Sequence, residues 1–391
     1  MKNKKLWIFI GIVKAVLILN YVFGWSEYLA DKNNLNFLKD MVEDNQLVRP
    51  RSLLPIFLNS RSTEEIERNC IHCHKCRKHC TFLQKYQMDI GDTDKLKELA
   101  YHCFLCGKCT EVCPVGIDGR AYILNLRRES KRPEAEKKEK GYGLILWEKR
   151  NYRYRNYKHA EGKSVLFPGC NFPSFYPQTT KMLTELLSKY GIGVVYDCCG
   201  KPIAELGYRE DEEAIVQRID ETLKEKGIEE VIMVCPNCYA FIKGRLSVRV
   251  VNIYDKLQEL GAVGKNPVWK SEKKQIFLPC PDRENRELLK AASRYIEWMT
   301  GADSGFCPIE GAQCCGLGGV ASVKEPELAR QMASALSQNE HSVYTYCASC
   351  SGNLTRGGCK DVRHVLSEIL GVHEKADVRK SMCNRIKTKF I

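Results

Sequence analysis

Chemistry in this chain is concentrated in its cysteines. Eight of the 21 cysteines fall in two runs, Cys70-x2-Cys73-x2-Cys76-x3-Cys80 and Cys103-x2-Cys106-x2-Cys109-x3-Cys113-Pro114, and each member of the second lies 33 residues after its counterpart. A tight loop with three thiolates can cap three irons of one cube, and the fourth thiolate, a turn further on, points at the neighbouring cube. The spacing therefore predicts two cubane [4Fe–4S] clusters. One would be held by Cys70, Cys73, Cys76 and Cys113, the other by Cys103, Cys106, Cys109 and Cys80. A pair of zinc sites needs only four cysteines each and gives no reason for the fourth member of either run. Thr81 stands where a proline is expected after Cys80, which loosens the loop exit without removing a ligand. His72, His74 and His79 lie among the ligands and read as surface residues that tune cluster potential.

A second pattern follows. Cys170, Cys198-Cys199-Gly200 and Cys235-x2-Cys238 recur as Cys280, Cys314-Cys315-Gly316 and Cys347-x2-Cys350, at offsets of 110, 116, 112 and 112 residues. A near-constant offset over four landmarks indicates a duplicated domain. The elements that must carry these thiols are α/β in pattern. We expect a strand and turn at 164–170, a helix at 178–190, a strand at 192–197, a helix at 211–226 and a strand at 231–234. In the second copy we expect a strand at 275–280, a helix at about 284–300 and a strand at 342–346. Each cysteine set ends a strand or opens a turn, so five thiolates converge at the carboxyl edge of a sheet, where α/β folds place their sites. Five exceed what tetrahedral zinc or a simple cube takes, and two adjacent ones serve one cube only with strain. The site must hold something unusual, unless the vicinal pair is a redox disulfide beside a separate zinc or the cysteines are structural. Cys307, Cys359 and Cys383 are left over and read as structural or free thiols, although Cys307 is seven residues from Cys314.

On these residues the chain resembles proteins with duplicated CCG domains, as in the catalytic subunit of heterodisulfide reductase. The resemblance covers residues 61–372, and the five-cysteine pattern is complete in both copies. It implies a noncubane [4Fe–4S] cluster on each set, at which a disulfide is split in one-electron steps. The catalytic residues would then be Cys170, Cys198, Cys199, Cys235 and Cys238, with Cys280, Cys314, Cys315, Cys347 and Cys350. A ferredoxin unit followed by two CCG domains looks like the fused D-type subunit of that enzyme. It is equally similar in layout to the iron–sulfur subunits of anaerobic glycerol-3-phosphate dehydrogenase and glycolate oxidase, which relay electrons from a flavoprotein towards quinone. Two functions stay open: a disulfide/thiol oxidoreductase, and an electron-transfer subunit with no substrate of its own. The glycine-rich run Gly316-Leu317-Gly318-Gly319 directly follows a CCG and lacks the strand–GxGxxG–helix context of a dinucleotide site. Flavin or nicotinamide must therefore be on a partner, a flavoprotein or a cytochrome b.

Length and charge frame this reading. A chain of 391 residues exceeds one comfortable core. The expected architecture is a multidomain α+β and α/β protein with six segments: an N-terminal apolar helix and connector (1–60), a helical dicluster ferredoxin domain (61–130), a basic linker (131–163), two CCG domains (164–270 and 271–372) and a basic tail (373–391). The net charge of +13 is local. Residues 127–163 hold 13 Lys/Arg against 6 Asp/Glu and residues 373–391 hold 6 against 2, which reads as solvated, flexible segments or as docking to an acidic partner or anionic lipid. No nucleic-acid motif accompanies the charge. Residues 6–25 are long enough to span a bilayer, with Trp7, Tyr21 and Trp25 placed as interfacial anchors, although Lys14 and Asn20 make insertion only marginally favourable. The run is too long for a cleaved signal peptide. Cluster chemistry places the body on the cytoplasmic face of the membrane, anchored or peripheral.

Overall fold

The computed structural model describes residues 62–131, 141–263, 269 and 272–391, all within one compact unit. The apolar segment 6–25 and its connector lie outside the described residues, as do residues 132–140 of the linker. Among the described residues no helix is long and apolar enough to cross a membrane.

Residues 62–131 form a helical unit built twice over. Helices Lys75–His79 and Lys108–Val112 each carry the third cysteine of a run, and each opens from a residue in the left-handed region, His74 (φ 60°) or Gly107 (φ 71°). Two residues earlier His72 (φ 46°) and Leu105 (φ 48°) are left-handed as well. The 33-residue period is thus also a backbone period: the chain curls round each thiol group through two left-handed residues. Helix Gly119–Glu129, capped by Asp118, closes the unit and buries Tyr122, Ile123, Leu126 and Arg127.

Two parallel four-stranded sheets follow. In the first the order is β2-β1-β3-β4, with β1 Ser164–Phe167, β2 Gly193–Val194, β3 Glu230–Met233 and β4 Arg249–Asn252. The second has the equivalent order β6-β5-β7-β8, with β5 Lys274–Ile276, β6 Phe306–Pro308, β7 Val343–Thr345 and β8 Val362–His364. Matching order and parallel pairing make the duplication a structural one. Strand β3 is buried throughout, as a parallel strand covered on both faces must be. Helix Pro177–Ser188 packs with Leu183 and Leu187, and helix Arg209–Glu225 with Ile215, Ile219 and Leu223. The two copies share one core, in which Ile276, Tyr295 and Val365 join Val165, Phe167 and Met233.

Several elements depart from expectation. Strand β2 is two residues long; beyond it Tyr196 pairs instead with Asn156 in an antiparallel bridge. Strand β5 stops at Ile276, and Cys280 opens a 3-10 turn through Asp282. Strands β4, β6 and β8 carry too few apolar residues to signal themselves. The tail does not dangle. Helix Ser381–Lys387 docks on the first copy, where Asn384 Nδ2 donates to Ser174 O (3.2 Å) and Arg385 Nη1 to Glu148 Oε1 (3.0 Å). Glu148 belongs to helix Gly143–Lys149 of the linker, so the two basic segments hold each other.

Candidate metal centres

The eight cysteines of the dicluster unit separate into two groups. Cys70, Cys73, Cys76 and Cys113 line one cavity at the surface, beside Asp89 and the exposed Ile71. Cys80, Cys103, Cys106 and Cys109 lie buried together, within electrostatic reach of one another. Each group thus includes one cysteine of the other run, Cys113 in the first and Cys80 in the second. Burial pushes the Cys76 and Cys103 thiols up to about 11. Backbone amides turn inward to the sulfurs: Leu105 N–H donates to Cys103 Sγ (3.3 Å) and Ile117 N–H to Cys113 Sγ (3.4 Å). His74 Nδ1 meets Asp89 Oδ2 at 2.5 Å and His72 lies 3.7 Å from the same oxygen, at the rim of the cavity; His79 is exposed.

Past the carboxyl edges of the two sheets the CCG thiols form one string. Thiol–thiol contacts link Cys170 to Cys198, Cys199, Cys238 and Cys235 in turn. They cross between the copies from Cys235 to Cys347, and Asn237 Nδ2 approaches Cys347 Sγ at 3.5 Å beside that crossing. They continue through Cys350, Cys315 and Cys314 to Cys106 of the dicluster unit, with Cys280 Sγ 3.7 Å from Cys314 Sγ. Each landmark that the sequence singles out is therefore in the string or one contact from it.

Four sulfurs of the string are held below the ordinary thiol range by their neighbours. Thiols donated by Cys314, helped by the Arg283 guanidinium, draw Cys106 down to about 5, and Cys198 and Cys238 draw Cys199 to about 5. Cys315, between Cys314 and Cys350, and Cys347, between Cys235 and Cys350, are held well below the ordinary thiol range. A thiolate is the form that ligates metal. Among the described residues no three ligating side chains converge as they would on a single ion.

Glycines make room at the thiols. A Cβ on Gly91 would sit 2.6 Å from Cys70 Sγ, one on Gly119 2.8 Å from Cys109 Sγ, and one on Gly169 2.9 Å from Cys238 Sγ. All-sulfur donors in such cradles suit iron–sulfur clusters. Cys307 is exposed on β6 and Cys383 on the tail helix, both outside the string; Cys359 is buried in an apolar cluster beside Cys347 and Cys350.

Sequence reasoning missed the side chains that join the two regions. Gln313 Nε2 reaches Cys80 Sγ (3.5 Å) and Cys106 Sγ (3.7 Å), while its Oε1 accepts from Thr81 N–H (2.9 Å). Arg283 Nη1 donates to Cys106 O (3.2 Å). The glycine-rich run serves the same contact: a Cβ on Gly318 would meet Phe104 O at 2.2 Å, and one on Gly319 would meet Cys103 O at 2.5 Å. Gln313 precedes the vicinal cysteines, but nothing in the sequence ties it to a loop some 230 residues away.

Comparison with known proteins agrees with this geometry. Residues 164–243 and 275–355 each match the CCG cysteine-rich domain, and residues 54–117 match the 4Fe-4S dicluster domain. An uncharacterized iron–sulfur protein of Methanocaldococcus jannaschii is 25% identical over 72% of this chain and 66% of its own length. One of the subunits of the fumarate reductase (CoM/CoB) of Methanothermobacter marburgensis is 25% identical over 76% of this chain and 70% of its own. The D-type subunit of the dihydromethanophenazine:CoB–CoM heterodisulfide reductase of Methanosarcina barkeri is 23% identical over 72% and 80%. The chain thus spans about two thirds of the length of the first of these relatives. The chain thus carries a 4Fe-4S dicluster domain followed by two CCG cysteine-rich domains, the domain set of CCG-type iron–sulfur proteins.

Proposed function

We propose that this chain is an iron–sulfur oxidoreductase of the heterodisulfide reductase type. In this reading two cubane clusters sit on the crossed cysteine sets of the dicluster unit and a noncubane centre on each five-cysteine set, and these groups supply one-electron storage when bound. The observation that carries it is the unbroken thiol string from Cys106 through both CCG sets to Cys170. In the dicluster unit, beyond the Cys106 end of the string, the Cys70–Cys113 cavity opens at the surface, with Cys73 exposed, where a reduced flavoprotein or cytochrome b partner can deliver electrons. The proposed net reaction breaks one S–S bond, takes in two electrons from that partner and two protons, and releases two thiols. The body would work at the cytoplasmic face of a membrane.

One observation favours a second reading, an electron-transfer subunit between a flavoprotein and quinone. Eight of the ten CCG cysteines are buried, Cys170 and Cys280 being half-buried, and a relay needs no path for a substrate sulfur. The experiment separates the two. Anaerobically purified protein should hold about sixteen irons per chain, four for each centre. Adding thiol to the oxidised protein should then produce a new paramagnetic signal, absent in Cys199→Ser or Cys315→Ser although the reduced cubane signals persist. Full iron with every spectrum indifferent to thiol would leave the relay; about eight irons with stoichiometric zinc would remove the CCG centres altogether.

A further inference from the structure

The two CCG sites do not have the same surroundings. The second abuts the dicluster unit, and its flanking charges are Arg283 against Asp282, next but one to Cys280, and Glu111, which lies 3.6 Å from Arg283 Nε. The first is covered by the linker and tail helices. Arg385 Nη2 donates to Asn171 Oδ1 (2.8 Å), which Cys170 Sγ also approaches (3.8 Å), and Lys149 and Arg385 both pair with Glu148. Nearer the sheet, Asp197 beside Cys198 is neutralised by Arg218 through contacts of 2.7 and 3.2 Å, and Glu205 by Lys201. At the first site two cations, Lys149 and Arg385, share Glu148, whereas at the second Arg283 is matched by Glu111, with Asp282 adjoining it in sequence.

The cations are placed for this. Lys149 is 5% exposed, on the linker helix over the site. Lys149 Nζ stands 2.8 Å from Glu148 Oε1, but neither it nor Arg385 Nε has a well-aligned hydrogen-bond acceptor among the described residues. A buried lysine and a part-buried arginine share one carboxylate, so positive charge is left over towards the sulfurs. Neither residue belongs to the duplicated domain. The linker supplies one and the tail the other, and the Glu148–Arg385 pair locks the two helices together over the site.

We propose that Lys149 and Arg385 are counter-ions that make the first CCG centre the more oxidising of the two, so that an electron arriving at the second centre from Cys106 passes on to the first. This rests on the reading that both five-cysteine sets hold iron–sulfur centres. A buried cation favours the state with the additional negative charge, and net charge is a known lever on cluster potential. Each transfer oxidises the second centre by one electron and reduces the first by one, and the reduced redox partner supplies that electron. Lys149 and Arg385 are positioning residues and touch no substrate.

The test is a redox titration of the full chain followed by paramagnetic resonance, the first centre's signal being the one lost in Cys199→Ser. Lys149→Met and Arg385→Met should each shift that centre to lower potential, Lys149→Arg should leave it in place, and Glu148→Gln should shift it upward. The second centre and the cubanes should not move. Opposite shifts from Lys149→Met and Glu148→Gln cannot come from loosened packing alone. If Lys149→Met fails to fold, Arg385→Met and Glu148→Gln decide. About sixteen irons with an unmoved first centre, or with both variants shifting it the same way, would overturn the counter-ion role alone. About eight irons in the unaltered protein would overturn the cofactor reading beneath it.

Discussion

At the scale of single residues, the backbone around the thiols is under tension in a way that the repeat exposes. His74 and Gly107 occupy the same place in the two runs, and both are left-handed, as are His72 and Leu105. For a residue with a Cβ this conformation costs about 1–2 kcal/mol. Glycine avoids that cost at one of the four positions. Around Gly107 a Cβ would meet only Arg120 Cδ at 3.7 Å, so space is not what requires glycine there. Gly107→Ala should therefore lower stability by about 1 kcal/mol through conformation alone, read by denaturant unfolding, with iron content unchanged. An unaltered midpoint would mean that the loop already strains glycine as much as alanine. The cysteines themselves were legible from spacing, because a cluster dictates which thiols share a loop. The left-handed residues beside them, Leu105 above all, were not, because leucine carries no turn signal.

At the scale of elements, the decisive contact joins the loop after Cys315 to the loop after Cys103. Gly318 sits where a Cβ would fall 2.2 Å from Phe104 O, too close to a backbone atom for a side chain to adjust. Gly318→Ala should push the two loops apart and slow electron passage from the dicluster unit to the second CCG site several-fold, with all clusters present. Freeze-quenched reduction by a flavoprotein donor would show it, and an unchanged rate would mean that the loops give way without cost. The same interface holds Glu325, 1% exposed, which receives Lys85 Nζ (2.6 Å), Tyr86 Oη (2.6 Å) and His102 Nδ1 (2.7 Å). Burial would raise this carboxyl, but those partners outweigh it and hold it below the ordinary glutamate range. Its stabilisation is therefore complete above that ordinary range and is lost as pH falls through the depressed value. Glu325→Gln should flatten the acid limb of the stability–pH curve and leave the neutral plateau lower; an identical acid limb would assign acid lability elsewhere. Of these elements the long strands and helices were legible from apolar period, as at β1, β3 and Arg209–Glu225. Strand β6 and the tail helix were not, because their burial depends on partners far away in the chain. For Ser381–Lys387 the apparent signal was charge, and Arg385 is instead half of a buried pair.

At the scale of the whole molecule, three regions far apart in sequence meet on one guanidinium. Arg127 is 0% exposed, and its guanidinium makes four hydrogen bonds to carbonyls: Nε donates to Ala100 O (3.0 Å), Nη2 to Cys103 O (2.6 Å), and Nη1 to Glu205 O (2.6 Å) and Gly319 O (2.7 Å). Two of these acceptors lie in the dicluster unit, one in the first CCG domain and one in the second. The planar fork reaches all three, which a lysine cannot do from a single point charge. Around it the cores interlock as well: Ala321, Leu328 and Met332 of the second copy pack with Phe104 and Leu126 of the dicluster unit. The order of the thiol string depends on this junction, because Cys103 belongs both to the loop that Arg127 holds and to the group that meets Cys314 through Cys106. Arg127→Met keeps the apolar stem and strands four buried carbonyls, each worth on the order of 1–3 kcal/mol when left without a donor, with partial recovery by water. The expected loss is roughly 3 kcal/mol of unfolding free energy, and Arg127→Lys should recover less than half of it. Because three regions share the residue, they should also come apart together: limited proteolysis of the Met variant should cut between residues 126 and 164 and release the dicluster unit from the paired sheets. A variant that keeps its midpoint and resists cleavage would mean that the interlocked cores, and not the guanidinium, hold the relay in line.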